Sequence, residues 1–305
     1  HGPVEVSRDG EIWMSQVHAH SGLAYAASVP MTIFGYNVID KIGRGAGSEI
    51  YAVSQPGSQQ LYALKHVVRH IDRDARFIEQ LENEYEVGKH LAHPNLRKVI
   101  DYQKHSKLFK VHEAALVLEL VDGTPLDVSI PPNLPDLISV FIQTAHALKA
   151  LHESGYVHCD FKPANVLVQS DLSVKVIDLG QACPVNTVKQ RIQGTPDYIS
   201  PEQVRCKPVS PVTDVFNLGA SMYWTLCGRK LPTLFTAGKD KNSFVADTLI
   251  QSPREVNPVV PEPLSNLVME CVRTRQEKRP QNMDELIRRL EIMHHVALRE
   301  TGRLQ

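Results

Sequence analysis

His158-Cys-Asp-Phe-Lys-Pro-Ala-Asn-Val-Leu-Val168 places a carboxylate (Asp160), an ammonium (Lys162) and a carboxamide (Asn165) within six positions, just ahead of a short apolar run. A second strand-like run, Val176-Ile-Asp-Leu-Gly180, carries another carboxylate, Asp178. Gln169-Ser170-Asp171 supplies turn residues between the two runs. Two short strands joined there form a small hairpin and bring Asp160, Asn165 and Asp178 to one of its ends.

The bulk numbers limit what such a site could serve. A chain of 305 residues is long enough for one large domain or two lobes with a substantial core. Lys and Arg number 33 against 34 Asp and Glu, a net charge of −1. That balance argues against a general nucleic-acid binder or a membrane-surface protein. Cysteines 159, 183, 206, 227 and 271 are scattered, without a Cys-x-x-Cys pair. The spacing reads as free thiols in a reducing, cytoplasmic compartment, not as a disulfide framework or a zinc site. No apolar run approaches the roughly 18 residues of a membrane span.

Working outward, residues 1–34 read as a flank. Val4–Trp13 alternates around Asp9-Gly10 as a hairpin would, with disorder an equal alternative, and Ala24–Pro30 reads as a linker. Short strand-like runs begin after Phe34. Tyr36–Gly43 leads through Gly43-Arg-Gly-Ala-Gly47 into Ile50–Val53, and Leu61–Val68 is another strand. Glycines between strands let backbone N–H groups approach a phosphate without obstruction by Cβ, although such a cluster is as often a plain turn. Alternation puts Ala63 and Lys65 on one strand face. Residues 73–92 have helical spacing in Phe77, Leu81, Tyr85, Gly88 and Leu91, stopped before His93-Pro94. Ala115–Val121 is an apolar strand entering a turn at Asp122-Gly123. Pro135–Ser154 is an amphipathic helix with Leu137, Val140, Phe141, Ala145, Leu148 and Leu151 on one side. Val212–Cys227 reads as a buried helix, and Asn282 as the cap of a last helix with Met283, Leu286, Ile287, Leu290 and Met293 inward. Beyond His295 a polar, frayed tail is expected.

Taken together these stretches resemble the protein kinase family. His158-Cys-Asp with Asn165, Asp178-Leu-Gly, the glycine-rich turn, Leu61-Tyr-Ala-Leu-Lys65 and Ser200-Pro-Glu202 arrive in the family's order over residues 36 to about 296. Lys162-Pro-Ala-Asn165 with Gly194-Thr195 resembles the serine/threonine branch, and the glycine-loop style its bacterial members. The resemblance implies an α+β, two-lobed fold: a small β-rich lobe over 35–119, a hinge near Glu119–Asp122, and a larger helical lobe over 123–296.

It also implies roles. Asp160 would accept or orient the attacking hydroxyl, Lys162 would neutralise γ-phosphate charge, and Thr195 would bond the catalytic loop. Lys65, fixed by Glu84, would orient the α- and β-phosphates of ATP. Glu84 is chosen over Glu79, Glu82 and Glu86 because it lies nine residues before His93. Asn165 and Asp178 would hold Mg²⁺, with Mn²⁺ as a substitute. The nucleotide would lie under Ile42, Gly43, Arg44, Gly45, Ala46, Gly47, Ser48 and Ile50. Ala63, Leu118, Glu119, Val121 and Leu167 would enclose the adenine. His158 and Asp214 would be structural supports, and Arg279 would pair with Glu202. Lys189 and Arg191 are read as solvated loop residues, with recognition of acidic substrates or phosphate as the alternative. The implied partners are ATP and proteins bearing serine or threonine.

Four positions depart from the pattern. Ser48 stands for a glycine, Leu179 for a phenylalanine, Ser200 for an alanine and Cys159 for an arginine. That arginine commonly pairs with a phosphorylated residue, which a thiol cannot do. The expectation is an activity indifferent to phosphate at Thr187, the only hydroxyl between Asp178 and Thr195. The alternatives are an ATP-binding scaffold without transfer and a small-molecule kinase.

Overall fold

The computed structural model describes residues 31–45, 47–107, 109–237, 247–248 and 250–302. The hairpin at Val4–Trp13, the linker at Ala24–Pro30, Ala46 in the glycine loop and the last three tail positions lie outside the described residues.

The first lobe is a six-stranded antiparallel sheet ordered β1-β2-β3-β4-β6-β5. Its strands are β1 (Thr32–Ile33), β2 (Tyr36–Gly45), β3 (Ser48–Ser54), β4 (Leu61–Val68), β5 (Val99–Lys107) and β6 (Lys110–Glu119). Strand alternation separates two faces. Ala63, Val67, Ala114, Leu116 and Leu118 pack under helix α1 (Ala75–Gly88) with Ile78 and Leu81. Tyr51, Val53, Leu64, Ala115 and Val117 form a second apolar layer on the other side, with Ile33. The sheet thus takes in Thr32–Ile33, part of the stretch expected as flank. β1 turns back onto β2 through Phe34 and Gly35, both at positive φ (47° and 80°), the backbone that a two-residue hairpin demands. β5 is apolar only at its start; β6 beside it, register Val99↔Leu118 to Lys107↔Lys110, makes it a strand.

The α1 face also differs from its expected one. Ile78, Leu81, Glu84, Val87 and Gly88 are buried, while Phe77 and Tyr85 are only half-buried. The helix has turned to bring Glu84 inward.

The second lobe is built on α2 (Leu134–Glu153), capped by the Asn133 side chain, which accepts from Asp136 N. All six apolar residues expected on its inner side are buried. Five of them join one core with α3 (Pro211–Cys227), α4 (Glu262–Cys271) and α5 (Met283–Glu300), while Leu151 packs with Val87, Leu179 and Ala182. Asn282 caps α5 through Glu285 N, and the helix continues to Glu300, past the fraying expected at His295. Gly228 ends α3 at φ 62°, a left-handed cap suited to glycine. Among the described residues no helix is long and apolar enough to cross a membrane.

Between the lobes sit small sheets. β9 (Val166–Val168) pairs with β10 (Val174–Val176) and with β7 (Thr124–Pro125), five residues after β6 ends. β8 (Tyr156–Val157) pairs with β11 (Cys183–Pro184). Asn95–Arg97 lies along β10, with Val176 N donating to Asn95 O at 2.7 Å and Arg97 N to Val176 O at 3.0 Å. These ties fix the β9–β10 hairpin against both lobes.

Candidate active site

The hairpin expected from the sequence is present. Val166 stands opposite Val176, and Ile177 N donates to Asn165 O at 2.9 Å. Asn165 and Asp178 therefore leave the same hairpin end. Asp178 takes a positive φ of 66° and Cys159 one of 64°. Both are unfavourable for a side chain with Cβ, and such conformations persist only where the surroundings over-determine them. Buried Asp214 provides that restraint at Cys159: its carboxylate accepts from His158 N (2.8 Å) and Cys159 N (3.0 Å), and His152 Nε2 lies 2.8 Å away. The carbonyl of Cys159 accepts from Gln203 Nε2 at 2.6 Å. His158 is fully buried, edge-on to Phe161, in the supporting role expected of it.

Around Asp160 the bonds are short and charge-assisted. Thr195 Oγ1 donates to Asp160 Oδ1 at 2.8 Å and accepts from Lys162 Nζ at 3.0 Å, while Lys162 Nζ lies 3.3 Å from Asp160 Oδ2. Asn165 Nδ2 donates to Asp160 O at 3.0 Å, which leaves Asn165 Oδ1 pointing its lone pairs elsewhere. Across the cleft, Lys65 Nζ bonds Glu84 Oε2 at 2.8 Å and Asp178 Oδ1 at 3.0 Å. Burial pulls the Lys65 ammonium down, but the Asp178 and Glu84 carboxylates outweigh it and leave the group above the ordinary lysine range. The Lys65 charge in turn holds the Asp178 carboxyl down to about 2, against the burial that would raise it.

These groups, Thr195 excepted, line one cleft of 1010 Å³, the scale of a sizeable small-molecule site. It gathers Ile42, Gly43, Arg44, Gly45, Ser48 and Ile50 from the glycine loop with Lys65, Glu84, Val121, Asp160, Lys162, Asn165, Leu167 and Asp178. Three of the expected enclosing residues do not line it. Ala63 and Leu118 lie in the core under α1, 0% and 1% exposed, and Glu119 directs its carboxylate to Lys175 at 2.8 Å. Gly47 is drawn aside toward α1. Its φ is +77°, and a Cβ there would meet the Phe77 ring at 2.3 Å, so a bare backbone is needed on both counts.

The cleft fits a nucleoside triphosphate with a hard divalent cation. The Ser48 hydroxyl is buried without a partner and lies 2.6 Å from where a Cβ on Gly45 would stand. The loop thus offers bare backbone and an unspent hydroxyl. Asn165 and Asp178 contribute the amide and carboxylate oxygens that Mg²⁺ takes alongside phosphates and water.

Several residues here escaped the sequence reading. Arg97 enters the cleft from the strip along β10, and its Nε donates to the Glu119 carbonyl at 2.9 Å in the hinge region. Gln203 joins Cys159 O, Gln193 O and Ser200 in one buried knot. Arg191, read as solvated, lines the cleft, and Lys189 Nζ donates to Gln181 O at 3.2 Å. Arg279 and Glu202 do pair, through bonds of 2.8 and 3.0 Å.

Comparison with known proteins agrees with this geometry. Residues 36–295 match the protein kinase domain family. Among curated proteins the chain is 31% identical over 212 residues to the serine/threonine-protein kinase PknA of Mycobacterium tuberculosis, covering 66% of this chain and 49% of PknA. It is 30% identical over 259 residues to PkaA of Streptomyces coelicolor, covering 81% of this chain and 45% of that protein. A probable serine/threonine-protein kinase of Clostridium acetobutylicum is 26% identical over 260 residues, 83% of this chain and 39% of the relative. The chain spans about half or less of the length of these relatives.

Proposed function

This chain belongs to the protein kinase family, and from that premise we propose that it transfers the γ-phosphoryl group of ATP to serine and threonine hydroxyls of proteins. The observation that carries the reading is the gathering of Asp160, Lys162, Asn165 and Asp178 on one wall of a cleft, with Thr195 bonded to Asp160, and Lys65 and Glu84 on the other.

ATP would supply the phosphoryl group and Mg²⁺ would neutralise part of its charge; Asn165 Oδ1 and the Asp178 carboxylate would hold the cation. Lys65, clamped by Glu84, sits where its charge meets phosphate oxygens. Asp160 receives or orients the proton of the attacking hydroxyl, with Thr195 fixing one carboxylate oxygen and Lys162 beside the other. Lys162 also offers positive charge where the transferring group becomes most anionic. The protein's contribution is positioning and preorganised charge, the two terms on which phosphoryl transfer depends. Thr195 through Glu202, anchored by Arg279, favours a protein substrate over a small molecule because it forms a fixed shelf beside Asp160. We place this domain in the cytoplasm, where ATP is abundant and thiols stay reduced.

The test is a thermal shift with Mg-ATP followed by radiolabel transfer to a generic basic protein, with an Asp160→Ala control. Binding with transfer that the control loses supports the reading. Binding without transfer identifies a nucleotide-dependent scaffold, to which Ser48 and Cys159 are the pointers. Transfer to a small molecule alone overturns the protein-substrate assignment.

A further inference from the structure

Two cysteines that the sequence sets 24 residues apart meet in the fold. Cys159 Sγ and Cys183 Sγ are 3.5 Å from each other. The contact follows from topology. β11 pairs with β8 so that Cys183 stands opposite Val157, and Cys159, two residues on, presents its side chain to the same place. Val157 and Val209 close an apolar pocket around the pair, with Val185 at its rim. The cysteines are 2% and 6% exposed, Cys183 being the more accessible.

The position of the pair is what gives it meaning. Cys159 immediately precedes Asp160, and Cys183 lies five residues beyond Asp178. A bond between them ties the loop that carries the proposed base to the segment that follows the proposed metal ligand. No such tie exists through the family's arginine, because Cys159 occupies its place.

We propose that Cys159 and Cys183 are a dithiol site that a hydroperoxide oxidises to a disulfide, locking the segment after Asp178 to the catalytic loop. Cys183 is the attacking sulfur. The Cys159 sulfhydryl 3.5 Å away and nearby Lys189 both favour its thiolate over the ordinary thiol. Cys159, whose thiol faces the Cys183 sulfur and is buried beside the Asp214 carboxylate, keeps its proton. In the first step the Cys183 thiolate attacks the peroxide, an S–O bond forms, the O–O bond breaks, and the alcohol (or water) leaves after taking up a proton. Cys183 is then a sulfenic acid. In the second step the Cys159 sulfur attacks Cys183, the S–S bond forms and the S–O bond breaks, and hydroxide departs with the Cys159 proton as water. Two thiols and one hydroperoxide thus give one disulfide, one alcohol and one water; the two sulfurs lose two electrons and the peroxide gains them. The sulfurs need only close from 3.5 Å to the ~2.05 Å of a disulfide.

The site stands on thiol geometry alone; its bearing on transfer rests on the function proposed above. The experiment therefore reads the bridge and the melting temperature on the whole chain without substrate, and transfer separately. Hydrogen peroxide at graded doses is followed by alkylation, proteolysis and mass spectrometry. The expected result is a cross-linked peptide joining Cys159 to Cys183, with Cys206, Cys227 and Cys271 still alkylated. Tm rises by about 5 °C, because the cross-link restricts the unfolded chain, and dithiothreitol reverses the change. Cys183→Ala and, independently, Cys159→Ala abolish both the peptide and the shift. Failure to find the peptide while Cys206 oxidises overturns the site. A bridge that leaves Tm unchanged or lowers it overturns the locking role. Transfer by the oxidised wild type within about twofold of the reduced form is expected if the lock holds the arrangement seen here; loss of transfer on bridging, restored by dithiothreitol, overturns that part.

Discussion

Lys65 and Glu84 meet across the first lobe at 2.8 Å, one from the β4 face under α1 and the other 3% exposed on α1 itself. The pair exists because α1 turns Glu84 inward, where Phe77 or Tyr85 would have been expected. Glu84→Gln keeps the shape but removes the charge that opposes Asp178 for the ammonium. Lys65 then settles toward Asp178. We expect kcat to fall on the order of 10²-fold, comparable to removal of one preorganised charge-stabilising group. Steady-state kinetics check this, and a variant within twofold of wild type contradicts it.

Arg279 and Glu202 form the second decisive pair, and its task is structural. The Arg279 side chain is 0% exposed and makes two bonds to Glu202, with further donations to the carbonyls of Val212, Arg273 and Thr274. Burial would raise the Glu202 carboxyl, but Arg279 holds it below the usual range. Arg279→Met leaves that carboxylate buried without its cation, still held by the Thr213 hydroxyl at 2.9 Å, at a cost of about 3–5 kcal/mol. In a domain of this size that lowers Tm by roughly 10 °C. Pairing it with Glu202→Gln should recover part of the loss, which differential scanning calorimetry on the three variants would show.

The Asp178 carboxyl is held down to about 2 by Lys65, below its ordinary 3.8. A lowered folded-state value means that the ionised form stabilises the fold. That contribution is complete above about pH 4 and is lost as pH falls toward 2. The Tm difference between wild type and Asp178→Asn should therefore be flat from pH 7 to 5 and shrink below pH 4. Thermal melts across that range test it; a difference that shrinks already between pH 7 and 5 assigns the ion pair wrongly.

Much of this architecture was readable because its signals are local. The hairpin around Asn165 and Asp178, the six apolar residues of α2 and the Asn282 cap each follow from spacing within one short stretch of chain. What escaped depends on chain segments meeting from afar. Arg97 looks like one more cation in a polar stretch, and only the bridge of its neighbour Leu96 to Val176 aims it into the cleft. Gln203 has no motif; its worth comes from the carbonyls of Cys159 and Gln193 that fold leaves beside it. Scattered cysteines read as unrelated thiols until β8 and β11 pair. Phe77 shares the helical spacing of core residues, yet the glycine loop takes its ring.

Thr195 ties Asp160 to Lys162, and the tie is a hydroxyl alone. Thr195→Val preserves volume and removes both bonds, one of them to a carboxylate and worth about 1.5–3 kcal/mol. If that stabilisation is felt in the transition state, kcat falls roughly 10- to 100-fold. Thr195→Ser should restore most of it, because Oγ is retained. Equal activity of the valine and serine variants would show that the hydroxyl does not position Asp160.

Thr187 tests the meaning of Cys159. Where the family's arginine would reach for a phosphate, this chain has a thiol that is 2% exposed among Val157, Cys183 and Val209. Thr187 Oγ1 donates to Pro184 O at 2.6 Å, and the Thr187 carbonyl accepts from Val209 N at 3.0 Å. The backbone bond survives replacement by alanine. A phosphate at Thr187 would find Lys189 nearby but no bidentate guanidinium in the Cys159 pocket to draw the segment inward. Thr187→Ala should therefore transfer phosphate within about twofold of wild type. Phosphatase treatment of the wild type should change as little. A tenfold or greater loss in Thr187→Ala, with an unchanged melting temperature, would mean that phosphate at this position is read by some other cation and that Cys159 does not mark independence from it.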